Sequence, residues 1–165
     1  MRLKLYISES EAGKMVIKRV EDCSRREIKD FYSLVDAGNE AYISLGDVRS
    51  HGILLGFYYI NNELASVSAL KDDDRKDGIF NASGTDEDPD NYDYEIGWSY
   101  TLPKYRRLGL NNKLYTALED QVDGKIYQTI RTTNAGSLGS AKKNGYRIVG
   151  DEIDVGVFNI YLLVK

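Results

Sequence analysis

The chain of 165 residues predicts a mixed α/β fold in one domain, residues 1–165. Three observations carry the prediction. Strand-like and helix-like patterns alternate along most of the length. Two β-rich runs flank Asn61-Asn62, a two-residue hairpin connection. A further strand-like run, 94–102, passes through a basic loop containing a glycine and directly into a helical pattern.

Taken in order, residues 2–8 alternate Leu3, Leu5 and Ile7 with polar neighbours, the period of a strand. Residues 14–20 read as a second strand beyond a turn-like segment ending at Gly13. Ser24 with Glu27 three positions on is a capping box, and Ile28, Phe31, Leu34 and Val35 follow at helical spacing until Gly38 ends the helix. A shorter helix is expected over 39–46. Strands 53–60 and 63–70 form the hairpin. Most of the stretch from Asp72 to Glu95 reads as a long loop; it holds ten acids against Arg75 and Lys76. Such a run is either a solvated excursion or an acidic rim that attracts a cationic partner. Strand 94–102, helix 107–121, strand 126–132, helix 134–144 and strands near 146–149 and 158–164 complete the order.

Composition narrows the classes of function. Hydrophobic content is 42% and charged content 29%, ordinary for a globular domain with room for a core. No apolar run approaches the roughly 18 residues of a membrane span, and the N-terminus lacks a signal peptide's apolar core. Cys23 is the only cysteine, so no internal disulfide forms, and the cytoplasm is the expected compartment. A net charge of −4 argues against nucleic acid as a partner. No Cys/His set has zinc spacing and Asp72-Asp73-Asp74 lacks the calcium-loop pattern, so no metal is expected.

The loop after strand 94–102 reads Tyr105-Arg106-Arg107-Leu108-Gly109-Leu110-Asn111-Asn112-Lys113. The first N–H groups of a helix have no intrahelical partner and carry the positive end of its dipole. With Arg106, Arg107 and Lys113 around them they suit a phosphate or pyrophosphate. A solvated basic turn is the plainer alternative. Neither a dinucleotide fingerprint nor a P-loop occurs. A second motif follows strand 126–132: Asn134, Ser137, Ala141, Lys143, Gly145 and Tyr146, in the pattern N-x-x-S-x-x-x-A-x-K-x-G-Y. Gly136 and Gly139 sit within that helix, each costing about 1 kcal/mol relative to alanine. Their smallness admits either a ligand arm or tight helix-on-sheet packing.

Together these motifs resemble the GNAT superfamily of N-acetyltransferases. R-x-x-G-x-N from Arg106 to Asn111 is similar to the loop that grips the pyrophosphate of acetyl-coenzyme A, with Asn111 where a small residue is usual. The second motif looks like the helix after the fifth strand in the branch that acetylates ribosomal-protein N-termini. The resemblance implies a mostly antiparallel sheet with a central parallel pair splayed for coenzyme A, helices on both faces, and residues 2–8 as an extra N-terminal strand. It also implies a donor site formed by Tyr100, Thr101 and Leu102, then Arg106, Arg107, Leu108 and Gly109, then Leu110, Asn111 and Asn112. Asn134, Ser137 and Lys143 would complete it. Many branches place a catalytic tyrosine where Ala141 stands; the ribosomal-protein branch has a serine at Ser137, which makes that residue the candidate to assist the leaving thiolate. Tyr100 and Tyr146 are substitutes.

Strand 94–102 supplies the base. Alternation puts Tyr94, Ile96, Trp98, Tyr100 and Leu102 on one face and Glu95, Gly97, Ser99 and Thr101 on the other. A carboxylate above a small polar strip suggests space kept for a ligand, and Glu95 matches the general base of the histone-acetylating branch. An ion-paired structural glutamate is the alternative. The expected activity is acetyl transfer from acetyl-CoA to a primary amine, on a cationic small molecule or peptide. A coenzyme A-binding module without turnover is the competing function. No membrane partner is expected, and a homodimer is allowed. His51 and Cys23 are expected to be structural, and Tyr58, Tyr59, Tyr92 and Tyr94 are weak candidates for an acceptor pocket.

Overall fold

The computed structural model describes residues 6–10 and 13–165. Two compact units emerge, one from residues up to Lys71 with Gly97–Val122, the other from Asp72–Ile96 with Asp123–Lys165. Strand β5 (Tyr94–Thr101) contributes residues to both.

In the first unit the strand order is β1 (Tyr6–Ser10), β2 (Gly13–Arg19), β3 (Gly52–Ile60), β4 (Glu63–Lys71), then β5. The pairs β1–β2, β2–β3 and β3–β4 are antiparallel. Of the strand expected over 2–8, residues 2–5 lie outside the described residues. Asn61 and Asn62 have φ of 50° and 65°, the two left-handed positions that a type I′ hairpin requires.

Helix α1 (Arg25–Gly38) begins with the expected capping box: Ser24 accepts from the Glu27 N–H, and Glu27 accepts from the Ser24 N–H. Such a cap stabilises by about 1 kcal/mol. Asn39, left-handed at φ 51°, is the residue that closes the helix just past Gly38. Ile28, Phe31 and Val35 from α1 pack with Leu55, Phe57, Val67 and Ala69 of the β3–β4 hairpin. Phe31 meets Phe57 edge-on, centroids 5.9 Å apart. Helix α2 is Leu45–His51, displaced from the expected 39–46, and it carries its own capping box at Ser44 and Asp47.

Helix α4 (Leu110–Glu119) packs on the other face of the hairpin, its Leu114 reaching Gly56, where a Cβ would come within 3.0 Å. Because Gly56 alternates with Leu55 and Phe57, α1 and α4 cover opposite faces of this part of the sheet.

The second unit has strand order β5, β6 (Ile126–Arg131), β8 (Asn159–Val164), β7 (Arg147–Asp154). Here β5 and β6 are parallel, with Tyr94 opposite Ile126 and Glu95 opposite Tyr127. The pairs β6–β8 and β7–β8 are antiparallel. The mixed α/β architecture with one parallel strand pair is therefore as expected.

The acidic stretch is not a long loop. It contains helix α3 (Lys76–Ser83) and a 3-10 turn at Pro89–Asn91. Phe80 and Tyr92 anchor it, packing with Tyr127, Val149, Ile153 and Leu162. At Gly150, φ 65°, an added Cβ would lie 2.3 Å from the Ser83 carbonyl oxygen, so the end of α3 rests on the β7 backbone. Helix α5 (Ala135–Lys143) follows β6.

Candidate active site

In the second unit, Glu95 is 3% exposed. Its register partner is Tyr127, and Thr129 lies two residues further along β6 on the same face. The Thr129 hydroxyl donates to Glu95 Oε1 at 2.8 Å. Tyr127 is 1% exposed, and its hydroxyl has no hydrogen-bond partner among the described residues. Its ring meets Phe80 edge-on at 5.3 Å. Burial, then the negative charges of Glu95 and Asp73, push this phenol well above its ordinary range, so it is neutral. Asp73 grips the Arg75 guanidinium with both oxygens, at 2.9 and 2.8 Å, and that pairing raises Arg75.

Helix α5 of the same unit is capped by Asn134, whose side-chain oxygen accepts from the Ser137 N–H at 3.0 Å. Ser137 is thus fixed in the first turn, partly buried. A Cβ added at Gly139 would meet nothing within 4 Å, and at Gly136 only the Asn134 oxygen at 3.8 Å. These glycines do not serve tight packing; the space beside them is open. Ala141 is wholly buried, and Lys143 is exposed in the last turn. Tyr146 is 3% exposed.

The anion loop belongs to the first unit. Pro103–Tyr105 form a 3-10 turn, Arg107 is left-handed at φ 67°, and Gly109 at φ 72° is the N-cap of α4 with no side chain capping it. The helix therefore starts three residues later than the expected 107. Arg106 Nε donates to the Thr101 carbonyl at 3.2 Å, and its guanidinium lies 5.5 Å from the Tyr100 ring centroid. Arg106, Arg107, Leu108 and Gly109 are exposed, Leu110 is buried, and Leu102, Asn111 and Asn112 are partly buried.

Strand β5 does not alternate as expected. Trp98 has φ 48°, a left-handed conformation in mid-strand that marks a bulge. A Cβ on Gly97 would contact Lys71 at 3.5 Å, and the Trp98 ring also lies by Lys71, whose Nζ is 5.3 Å from its centroid. Ser99 and Thr101 instead hydrogen-bond Ser68 and Ser66 at 2.8 and 2.7 Å. Gly97 thus parts from Ser99 and Thr101, because the extra residue shifts the period. Ser99 also donates to the Tyr115 hydroxyl of α4 at 3.3 Å.

The other candidates separate clearly. Burial, with Glu27 beside it, pushes the Cys23 thiol up to about 12, so no thiolate is available near neutral pH. His51 ends α2. Of the four tyrosines proposed for an acceptor pocket, Tyr58 and Tyr59 belong to the first unit and Tyr92 and Tyr94 to the second. Tyr59 stacks on Phe57 in the α1 core, whereas Tyr58 lies under Lys113 of α4 and lines a cavity of about 450 Å³ with Met15, Asn112, Thr116 and Asp120. Tyr92 is a core residue whose hydroxyl donates to Glu87 at 2.7 Å.

A family model described as the acetyltransferase (GNAT) family matches residues 17–146. The chain belongs to that family. It is an acyltransferase, and acetyl transfer is its general reaction. The match takes in β5, the anion loop and α5, so every candidate residue of this GNAT protein falls within it.

No curated protein sequence matches the chain significantly. Solved structures do. An acyl-CoA N-acyltransferase from Pseudomonas aeruginosa aligns with TM-score 0.67 at 14% identity, over 93% of this chain and 99% of that one. The ribosomal-protein-S18-alanine N-acetyltransferase of Escherichia coli aligns with TM-score 0.61 at 12% identity, over 91% and 92%. The yncA protein of Salmonella typhimurium, solved with its cofactor acetyl-CoA, gives 0.56 at 13% identity, over 91% of each chain. At these identities the likeness is one of fold.

Tyr127, Thr129, Ser66, Ser68 and Tyr115 were absent from the sequence reading of this GNAT chain. Tyr127 and Thr129 share a strand face by simple alternation, a signal the sequence does contain. What it lacks is the register that sets them opposite Glu95.

Proposed function

We propose that this protein moves an acetyl group from acetyl-CoA to a primary amine, with Glu95 as general base and Ser137 assisting departure of the thiolate. The observation that carries the reading is the nearly enclosed Glu95 carboxylate on β5, which accepts from the Thr129 hydroxyl. Three further features fit the donor: an α4 N-terminus that no side chain caps, two exposed arginines before it, and an α5 flank left open at Gly139.

A lysine-type amine has a pKa of about 10.4, so about one molecule in a thousand is nucleophilic near neutral pH. Glu95 accepts the amine proton, directly or through water, as nitrogen attacks the thioester carbonyl. The C–N bond forms and the C–S bond breaks. Backbone N–H groups at the Trp98 bulge stabilise the intermediate oxyanion. Ser137 gives the departing sulfur a hydrogen bond, and solvent completes its protonation.

The acceptor is cationic. The acids Asp72, Asp74, Asp77, Asp86, Asp88, Asp90 and Asp93 are all exposed, and they support attraction of a positively charged amine and repulsion of nucleic acid. Among the described residues no helix is long and apolar enough to cross a membrane. Work in the cytoplasm, with one chain or a homodimer as the active form, belongs to the same proposal.

The test is acetyl-CoA turnover with spermidine, tobramycin and an alanine-terminated peptide, followed by Glu95→Gln and Ser137→Ala. Loss of general base catalysis lowers kcat by about 10²–10⁴-fold. Unchanged rates in both variants remove the assigned roles. Tight coenzyme A binding without turnover on any amine returns the protein to the non-catalytic reading.

A further inference from the structure

We infer that Lys71 is the positioning residue for the bulge in β5, its contact with the Trp98 ring holding the left-handed turn whose amides take the thioester oxygen. The inference rests on the proposed reaction, in which those amides stabilise the oxyanion. Bulky residues rarely adopt positive φ, yet Trp98 stands at 48° in mid-strand. Such strain persists only where the surroundings fix it. Lys71, the last residue of β4, is 5% exposed and pairs with Gly52 of β3. Its Nζ lies 5.3 Å from the Trp98 ring centroid, and a Cβ on Gly97 would lie 3.5 Å from its Cε. One side chain therefore lies against both residues of the bulge.

A cation over an indole is attracted by the ring's quadrupole, most strongly where water is excluded, and tryptophan is the best ring for it. That attraction is comparable in size to the cost of one left-handed residue, so the contact can decide the backbone state. The ring also packs against the α1 core, but apolar packing is non-directional. Ser99 and Thr101 are held separately by Ser68 and Ser66, at 2.8 and 2.7 Å, so the strand beyond the bulge keeps its place. Relaxation of Trp98 to negative φ would re-aim the amides of the bulge and leave the anion loop as it is. Loss of the contact thus acts on turnover rather than on donor binding.

The experiment measures kcat and the KM for acetyl-CoA with the same three amines, a melting curve, and the fluorescence of Trp98, the only tryptophan in the chain. Lys71→Met keeps the stem and removes the charge, with Lys71→Leu as the second charge-free variant should methionine fail to fold. Lys71→Arg keeps a cation. Trp98→Gly removes the ring and accepts positive φ without strain, and Trp98→Asn replaces it should glycine fail to fold. Combining the charge-free change with Trp98→Gly completes a double-mutant cycle, which isolates this pair from every other contact Lys71 makes. The expected result for Lys71→Met is a fall of about 10-fold in kcat, an unchanged KM for acetyl-CoA and a shifted Trp98 emission maximum. Arginine should restore kcat to within about threefold of the parent. On the Trp98→Gly background, Lys71→Met should alter kcat by less than about twofold. Parent-like kcat in a folded charge-free variant, or an unmoved emission maximum, overturns the role of Lys71 and leaves the reaction in place. An equal fall on both backgrounds, or no rescue by arginine, overturns it as well. A parent that turns over none of the amines overturns the reaction and the positioning role together.

Discussion

Gly38, the last residue of α1, lies directly against the ring of Tyr100: a Cβ at position 38 would sit 2.5 Å from Tyr100 Cδ2. Helix propensity alone favours alanine over glycine by up to about 1 kcal/mol. The clash reverses that sign, since forcing an extra methyl into a packed site costs about 1–3 kcal/mol. Gly38→Ala is therefore expected to lower stability in urea unfolding. Because Tyr100 also carries Arg106 on its ring, the variant should bind acetyl-CoA more weakly in calorimetry.

Position 109 separates conformation from contact. Nothing lies within 4 Å of a Cβ added there, yet φ is 72°. Gly109→Ala meets no neighbour and costs only the left-handed backbone, about 1–2 kcal/mol. If the strain is relieved by opening the loop, acetyl-CoA affinity falls while the fold persists. Calorimetry beside a melting curve distinguishes the two effects.

Gly139→Ala has the opposite stability sign. The added methyl meets no atom within 4 Å, and alanine is favoured in a helix interior. Stability should rise by about 0.5–1 kcal/mol. The KM for acetyl-CoA should rise as well, because the open flank of α5 is where the donor's arm is proposed to run. A rise in stability with unchanged KM would move that arm elsewhere.

Glu27 should contribute to acid sensitivity, alongside Glu63 and Glu87, whose carboxyls are lowered by their own hydrogen-bond donors. Burial pushes the Glu27 carboxyl up, but hydrogen bonds from Lys18 Nζ, 2.5 Å away, and from Ser24 outweigh that and leave it below the ordinary carboxylate range. A carboxyl lowered by folding stabilises the protein above its unfolded pKa and loses that contribution as pH falls through the folded value. Unfolding free energy should drop as pH falls below about 4.5. Lys18→Met should flatten this dependence in urea titrations between roughly pH 3 and 6.

Where local chemistry decides structure, the sequence was legible. The Ser24–Glu27 box and the Asn61-Asn62 turn are both visible in a few adjacent residues. Helix α2 was misplaced although Ser44 and Asp47 form the same kind of box, because Gly46 and a single buried residue, Val48, leave almost no apolar period to follow. Helix α3 was hidden for a related reason. Its stability comes from Phe80 reaching Tyr92 and Tyr127, contacts distant in sequence, while its own residues offer only the adjacent pair Ile79 and Phe80 as large apolar side chains, too few to show a helical period. The bulge at Trp98 is likewise silent in an alternating strand. It altered which residues share a face without changing the strand's limits. Glu95, Ser137 and the loop could be named from motifs, but Thr129 needed the strand register.

The way α3 is anchored has a consequence for how this enzyme could diversify. It is held to the sheet by Phe80 in the core, by Ile79 packed beside it and by the contact of Ser83 with Gly150, and the exposed aspartates are not members of that core. The electrostatic character of this flank can therefore be rewritten one side chain at a time while the scaffold stays intact. A change of preferred amine would need no change of fold.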